Sequence, residues 1–77
     1  MLPPEETPLQ MARRHVSESE DRIERQEALV ARLERQGHTE MVGEARELLA
    51  AMREFLKVSR AHLQVELGRS QRPRPGT

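Results

Sequence analysis

The sequence predicts an all-α fold, an antiparallel two-helix hairpin, and three observations carry that reading. Small and apolar residues recur at alternating three- and four-residue spacing from Leu9 to Leu33, the signature of a heptad seam. A second helical stretch, rich in Leu and Met, follows from about Glu40 to Leu67. Between them lies only Gly37-His38-Thr39, a connection so short that the helices must return side by side.

Helix 1 is predicted over about residues 8–36. Thr7-Pro8-Leu9-Gln10 is a start signal: Thr7 can cap, Pro8 suits the first helical position, and Gln10 completes a capping box. The seam series is Leu9, Ala12, Val16, Ser19, Ile23, Gln26, Val30, Leu33 and Gly37, interrupted in its apolar character only by Ser19 and Gln26. Glu18 to Arg22 and Asp21 to Arg25 are acid-first i,i+4 pairs, the order that supports a helix. Neither glycine nor proline falls within residues 9–36. Gly37 supplies the left-handed residue that closes the helix, His38 is expected to interact with its last carbonyls, and Thr39 is expected to cap the next helix.

Helix 2 is predicted over about residues 40–67, with Gly68 just past its end. Its apolar residues, among them Val42, Ala45, Leu48, Leu49, Met52, Phe55, Leu56 and Leu63, cover an arc of about 160°, wider than one partner helix can bury. Closing the hairpin at Gly37-His38 pairs residues whose numbers sum to roughly 75, setting Ile23 against Met52, Ser19 against Leu56 and Gln26 against Leu49. The predicted core is Val16, Ile23, Val30, Leu33, Ala45, Leu49, Met52, Leu56 and Leu63. Segments 1–6 and 68–77, the latter basic and proline-containing, are expected to be disordered flanks of a helical domain spanning 7–67. Met11 offers an alternative start of translation, since the heptad pattern opens beside it.

Composition narrows the function classes. The 77 residues allow one small domain. Thirteen basic side chains balance thirteen acidic ones and cysteine is absent, which excludes a disulfide framework and a thiolate metal site. The amino terminus has neither a basic nor an apolar leader region, and the longest apolar run, Leu48 to Met52, is far short of a membrane span. A cytoplasmic chain without membrane contact is the expectation. No Gly-rich phosphate loop, HExxH motif or calcium loop occurs, and Ser17, Ser19, Ser59 and Ser70 have no evident base and orienting partner. The chain is therefore not expected to be an enzyme or to carry a cofactor.

Small chains bury a low fraction of their surface, so a lone hairpin with half-buried apolar side chains is marginal. The expected remedy is self-association, two hairpins forming an antiparallel four-helix bundle. Leu29, Leu48 and Phe55 are the candidate interface residues, because they lie beside the hairpin seam where one partner helix cannot reach. The alternative is an adaptor that offers the helix 2 face to another protein.

Two further alternatives rest on single features. His15, Glu18, His62 and Glu66 fall near one another in the hairpin register, and imidazole and carboxylate on adjacent helices can bind zinc or iron. Known di-iron bundles place Glu before His and add further glutamates, which this chain does not, and boundary histidines hydrogen-bonded to neighbours explain the pattern more simply. Arg53, Lys57, Arg60, Arg69, Arg72 and Arg74 form a basic strip that a nucleic acid could use. Such readers usually add aromatics or an angled recognition helix, and neither is evident. Ser19 and Gln26 on the seam read best as residues that fix register.

Ala12-Arg13-Arg14-His15-Val16, Arg22-Ile23 with Arg25-Gln26, Leu33 with Gly37-His38, and Arg60-Ala61-His62-Leu63 together carry a resemblance. Over about residues 11–66 the chain resembles short uncharacterised helical-hairpin proteins of alphaproteobacteria. The resemblance implies a small bacterial helical protein and transfers no functional residue.

Overall fold

A computed structural model describes residues 5–71. It contains two α-helices, α1 over Pro8–Gln36 and α2 over Thr39–Gln71, packed against each other along their length. The chain is long and thin, with extents of 63 × 32 × 13 Å and a radius of gyration of 17.9 Å. A compact chain of this size would have a radius of about 11 Å. Two helices in one layer enclose a seam, not a three-dimensional core.

α1 begins as its sequence dictates. The Gln10 N–H donates to the Thr7 hydroxyl at 3.1 Å and the Thr7 N–H donates to the Gln10 side chain at 2.9 Å. This reciprocal box satisfies two amides that an uncapped helix end would leave open. Arg14 then reaches back to grip Glu6 through two hydrogen bonds of 2.8 and 3.0 Å and donates a third, of 2.9 Å, to Glu18. Hydrogen bonding to Arg14 holds the carboxyls of Glu6 and Glu18 below their ordinary value, and the same two acids raise the Arg14 pKa. Glu6 is thus tied to the helix although it was expected to belong to a disordered flank; residues 1–4 of that flank lie outside the described residues.

The turn is a two-bond Schellman closure. Gly37 has φ 73°, the left-handed region that favours glycine. Its N–H donates to the Glu34 carbonyl, and the His38 N–H donates to the Leu33 carbonyl, both at 3.1 Å. His38 therefore meets the helix end through its backbone. The expectation that Thr39 caps α2 needs correction: Thr39 is the first helical residue, and the His38 carbonyl accepts the Val42 N–H at 2.9 Å. Glu40 in the first turn complements the positive end of the helix dipole.

α2 also runs four residues beyond the expected Leu67 and ends at Gln71. Gly68 lies inside it with an ordinary helical φ, since Gly37 has the only positive φ among the described residues. A helical glycine costs about 1 kcal/mol relative to alanine, too little to end a helix already propagating. The Glu66–Arg69 ion pair at 3.0 Å also spans the position. Residues 72–77 of the expected disordered tail lie outside the described residues.

The seam follows the sequence pattern closely. Ile23, Val30, Leu33, Val42, Ala45, Leu49 and Leu56 form the buried cluster, with Val16, Leu29 and Met52 packed partly buried against it. Leu63 is half-buried and Ala12 is 1% exposed. Of the two polar seam residues, Gln26 donates from Nε2 to the Ala45 carbonyl at 2.9 Å, a bond that pins one helix to the backbone of the other. Ser19 is buried at 4% exposure and its hydroxyl has no hydrogen-bond partner.

Candidate functional site

The functional question turns on the two edges of the hairpin, because the seam itself is occupied by packing. On one edge, immediately after seam positions, acids of α1 face arginines of α2. Glu20 pairs with Arg60 at 3.2 Å, Glu27 with Arg53 at 3.3 Å and Glu34 with Arg46 at 2.8 Å. Each set recurs every seven residues, so the heptad places one acid and one arginine at every second turn of the edge. These pairs are half-exposed, and each contributes a few tenths to about 1 kcal/mol at most. Their larger effect is on direction: antiparallel helices in another register would not match all three.

The other edge is apolar on its α2 side. Leu29 of α1 is half-buried against the core, and beside it on α2 stand Met41, Leu48 and Phe55, which are 53%, 54% and 54% exposed. Shallow grooves run between the helices here. One is lined by Ser19, Arg22, Ala51, Met52 and Phe55, and another by residues including Gln26, Leu29, Met41, Glu44 and Leu48. The three expected interface residues, Leu29, Leu48 and Phe55, are thus on one edge. α2 carries the band further round its surface, where Val58 is 66% and Val65 51% exposed.

Met41, Val58 and Val65 are not among the predicted interface residues, yet the sequence carries a signal for them. Met41, Glu44, Leu48, Ala51, Phe55, Val58, His62 and Val65 are spaced by threes and fours in strict alternation. Six of the eight are apolar. α2 therefore carries two complete seams, one spent on α1 and one facing outward. The equivalent line on α1, from Pro8 and Met11 through His15, Glu18, Arg22 and Arg25 to Leu29 and Arg32, is mostly ionisable. The glutamate and arginine ladder of the opposite edge was equally legible as two seven-residue repeats.

The residues singled out as metal ligands are not gathered into a site. Glu18 is engaged by Arg14 at 2.9 Å and lies 3.9 Å from Arg22. Glu66 is buried at 6% exposure, with Arg69 at 3.0 Å and His62 Nε2 at 3.5 Å. His15 is half-buried on the neighbouring helix. Among the described residues no group of three or more His, Asp or Glu side chains is close enough to hold a metal ion. A guanidinium pairs with each of the two carboxylates, Arg14 with Glu18 and Arg69 with Glu66.

The basic strip is likewise partnered. Arg53 and Arg60 belong to the ladder, Lys57 is 3.6 Å from Glu54, and Arg69 is bound to Glu66. Arg72 and Arg74 lie outside the described residues. Among the described residues no helix is long and apolar enough to cross a membrane.

Comparison of the chain with family models, with curated proteins and with solved structures finds no match in any of the three. The resemblance to alphaproteobacterial hairpin proteins draws no support from them.

Proposed function

We propose that this chain is a small helical interaction module that works as a homodimer, two hairpins joined through their apolar edges into a four-helix bundle. The observation that carries the reading is the outward seam of α2, where Met41, Leu48, Phe55, Val58 and Val65 are each more than half exposed. Water-exposed apolar side chains aligned along one face of a helix mark an interaction face. Within the described residues the hairpin leaves them uncovered. The contrast with the opposite edge supports the same reading, since that edge is closed by its own charges.

Sedimentation velocity over a hundredfold concentration range tests the proposal. The expected result is a mass of two chains for the native protein and of one chain for Leu48→Glu. A fully helical native monomer at every concentration overturns self-association and leaves the band to a different protein.

A further inference from the structure

The self-association just proposed leaves open which helices meet and in what register, and the outward seam of α2 answers both. We infer that α2 packs antiparallel against α2 of a second copy, about a two-fold axis at the level of Arg53, with Glu44 of each chain facing His62 of the other. The inference rests on the homodimer reading and extends it to a defined interface.

The choice of helix follows from composition. The outward line of α2 is apolar at six of eight positions, whereas the corresponding line of α1 holds His15, Glu18, Arg22, Arg25 and Arg32. Only α2 has a second face that needs covering. At 3.6 residues per turn the outward seam lies about 100° around α2 from the seam that holds α1. That is close to the right angle between neighbours in a four-helix bundle, so a helix on this face does not displace α1.

The register follows from symmetry and charge. A seam spaced alternately by three and four reads the same in both directions, so a two-fold axis through its midpoint sets every position against another seam position. With the axis at Arg53, Met41 faces Val65 and Leu48 faces Val58. Small Ala51 faces large Phe55, as close packing asks. The two polar positions, Glu44 and His62, then face each other twice. An imidazole N–H can donate to a carboxylate, so neither is left unpaired against an apolar neighbour. Glu44 has no ion-pair partner within 4.0 Å among the described residues, and one imidazole nitrogen of His62 approaches Glu66 at 3.5 Å. Slipping the register by one heptad in one direction sets Glu44 against Phe55, and in the other sets His62 against Ala51. Both slips also leave seam positions hanging past the end. Charge complementarity selects the centred register from the three.

The chain has no cysteine, so introduced cysteines report without background. In the centred register Leu48 lies about 15 Å along the axis from its own copy, at 1.5 Å per residue. A disulfide requires Cβ atoms about 3.8 Å apart. Leu48→Cys alone and Val58→Cys alone are therefore expected to remain uncross-linked under mild oxidation, while their equimolar mixture gives a covalent heterodimer. Glu44→Cys mixed with His62→Cys is expected to behave the same way, and keeps the test independent of losing an apolar contact. Sedimentation of each variant before oxidation separates the two levels of the argument. A dimer in which Leu48→Cys couples instead to Ala51→Cys or Val65→Cys, or to itself, overturns the register but not the dimer. A dimer that forms none of these cross-links overturns the α2–α2 contact. Monomers throughout overturn both.

Discussion

The two edges of the hairpin share one seam and differ in how they are closed. On one, Glu20, Glu27 and Glu34 reach across to Arg60, Arg53 and Arg46, and the edge is finished within the chain. On the other, Leu29 stands beside Met41, Leu48 and Phe55, and three large side chains of α2 stay more than half exposed. Charged side chains can satisfy one another in water, so a charged edge is stable as a boundary. An apolar edge is stable only when something covers it. The difference separates an edge the chain closes by itself from one it leaves exposed.

The largest expected effect comes from placing charge on the open edge. If the proposed dimer forms, Phe55→Glu is expected to hold the protein monomeric and to abolish any dependence of Tm on concentration, read by light scattering and circular dichroism. The converse substitution on the closed edge, Arg53→Glu, is expected to leave the mass unchanged.

Next in size is the shared seam. Leu49 is buried at 7% exposure, and Leu49→Ala is expected to cost about 2–5 kcal/mol in urea unfolding. Both edges depend on this seam, so the loss should appear in the native chain and in Phe55→Glu alike. Ser19→Ala should do the opposite by a smaller amount. Removing a buried hydroxyl that has no partner is expected to be neutral or to stabilise by about 1 kcal/mol.

The glycines give a pair of opposite sign. At Gly37, φ 73° makes Gly37→Ala cost about 1–2 kcal/mol. At Gly68, a methyl group meets nothing within 4 Å in a helical backbone, and Gly68→Ala is expected to stabilise by about 0.5–1 kcal/mol. Thermal unfolding resolves both.

The smallest effects belong to exposed charge. A double-mutant cycle on Glu27 and Arg53 is expected to return a coupling of about 0.2–1 kcal/mol that falls with added salt. The acid end of the pH scale probes the Arg14 clamp. Its two carboxyls, Glu6 and Glu18, have folded pKa values below the ordinary 4.5. Their contribution is fully present above 4.5 and is lost as pH falls through the depressed values. The protection of first-turn amides of α1, taken relative to the intrinsic exchange rate at each pH, is expected to fall in that range, while that of the Schellman turn at Gly37 stays unchanged.

Much of this fold is legible in the sequence. The Thr7–Gln10 box, the Gly37 turn and the buried positions from Ile23 to Leu56 follow from spacing and local chemistry. Capping and periodicity act over a few residues, so they survive in a single sequence. The end of α2 was misplaced because Gly68 resembles a stop signal when read alone. Whether a glycine stops a helix depends on what the following turn gains, here the Arg69 bond to buried Glu66. The alternative His and Glu candidates show a related limit: register places His15, Glu18, His62 and Glu66 towards one end, and Arg14 and Arg69 pair with the two carboxylates.

The sequence by itself determined two long helices, their antiparallel return and the seam between them, because heptad periodicity and a glycine turn are local properties. Only the tertiary structure decided that the glutamate and arginine repeats meet on one edge while the second apolar line of α2 stays exposed on the other. That outcome depends on side chains more than ten residues apart meeting across the seam, and on α2 having more apolar surface than one partner helix can cover. Pairing between distant charges is set by the geometry of the packed helices, and no single turn of either helix contains it.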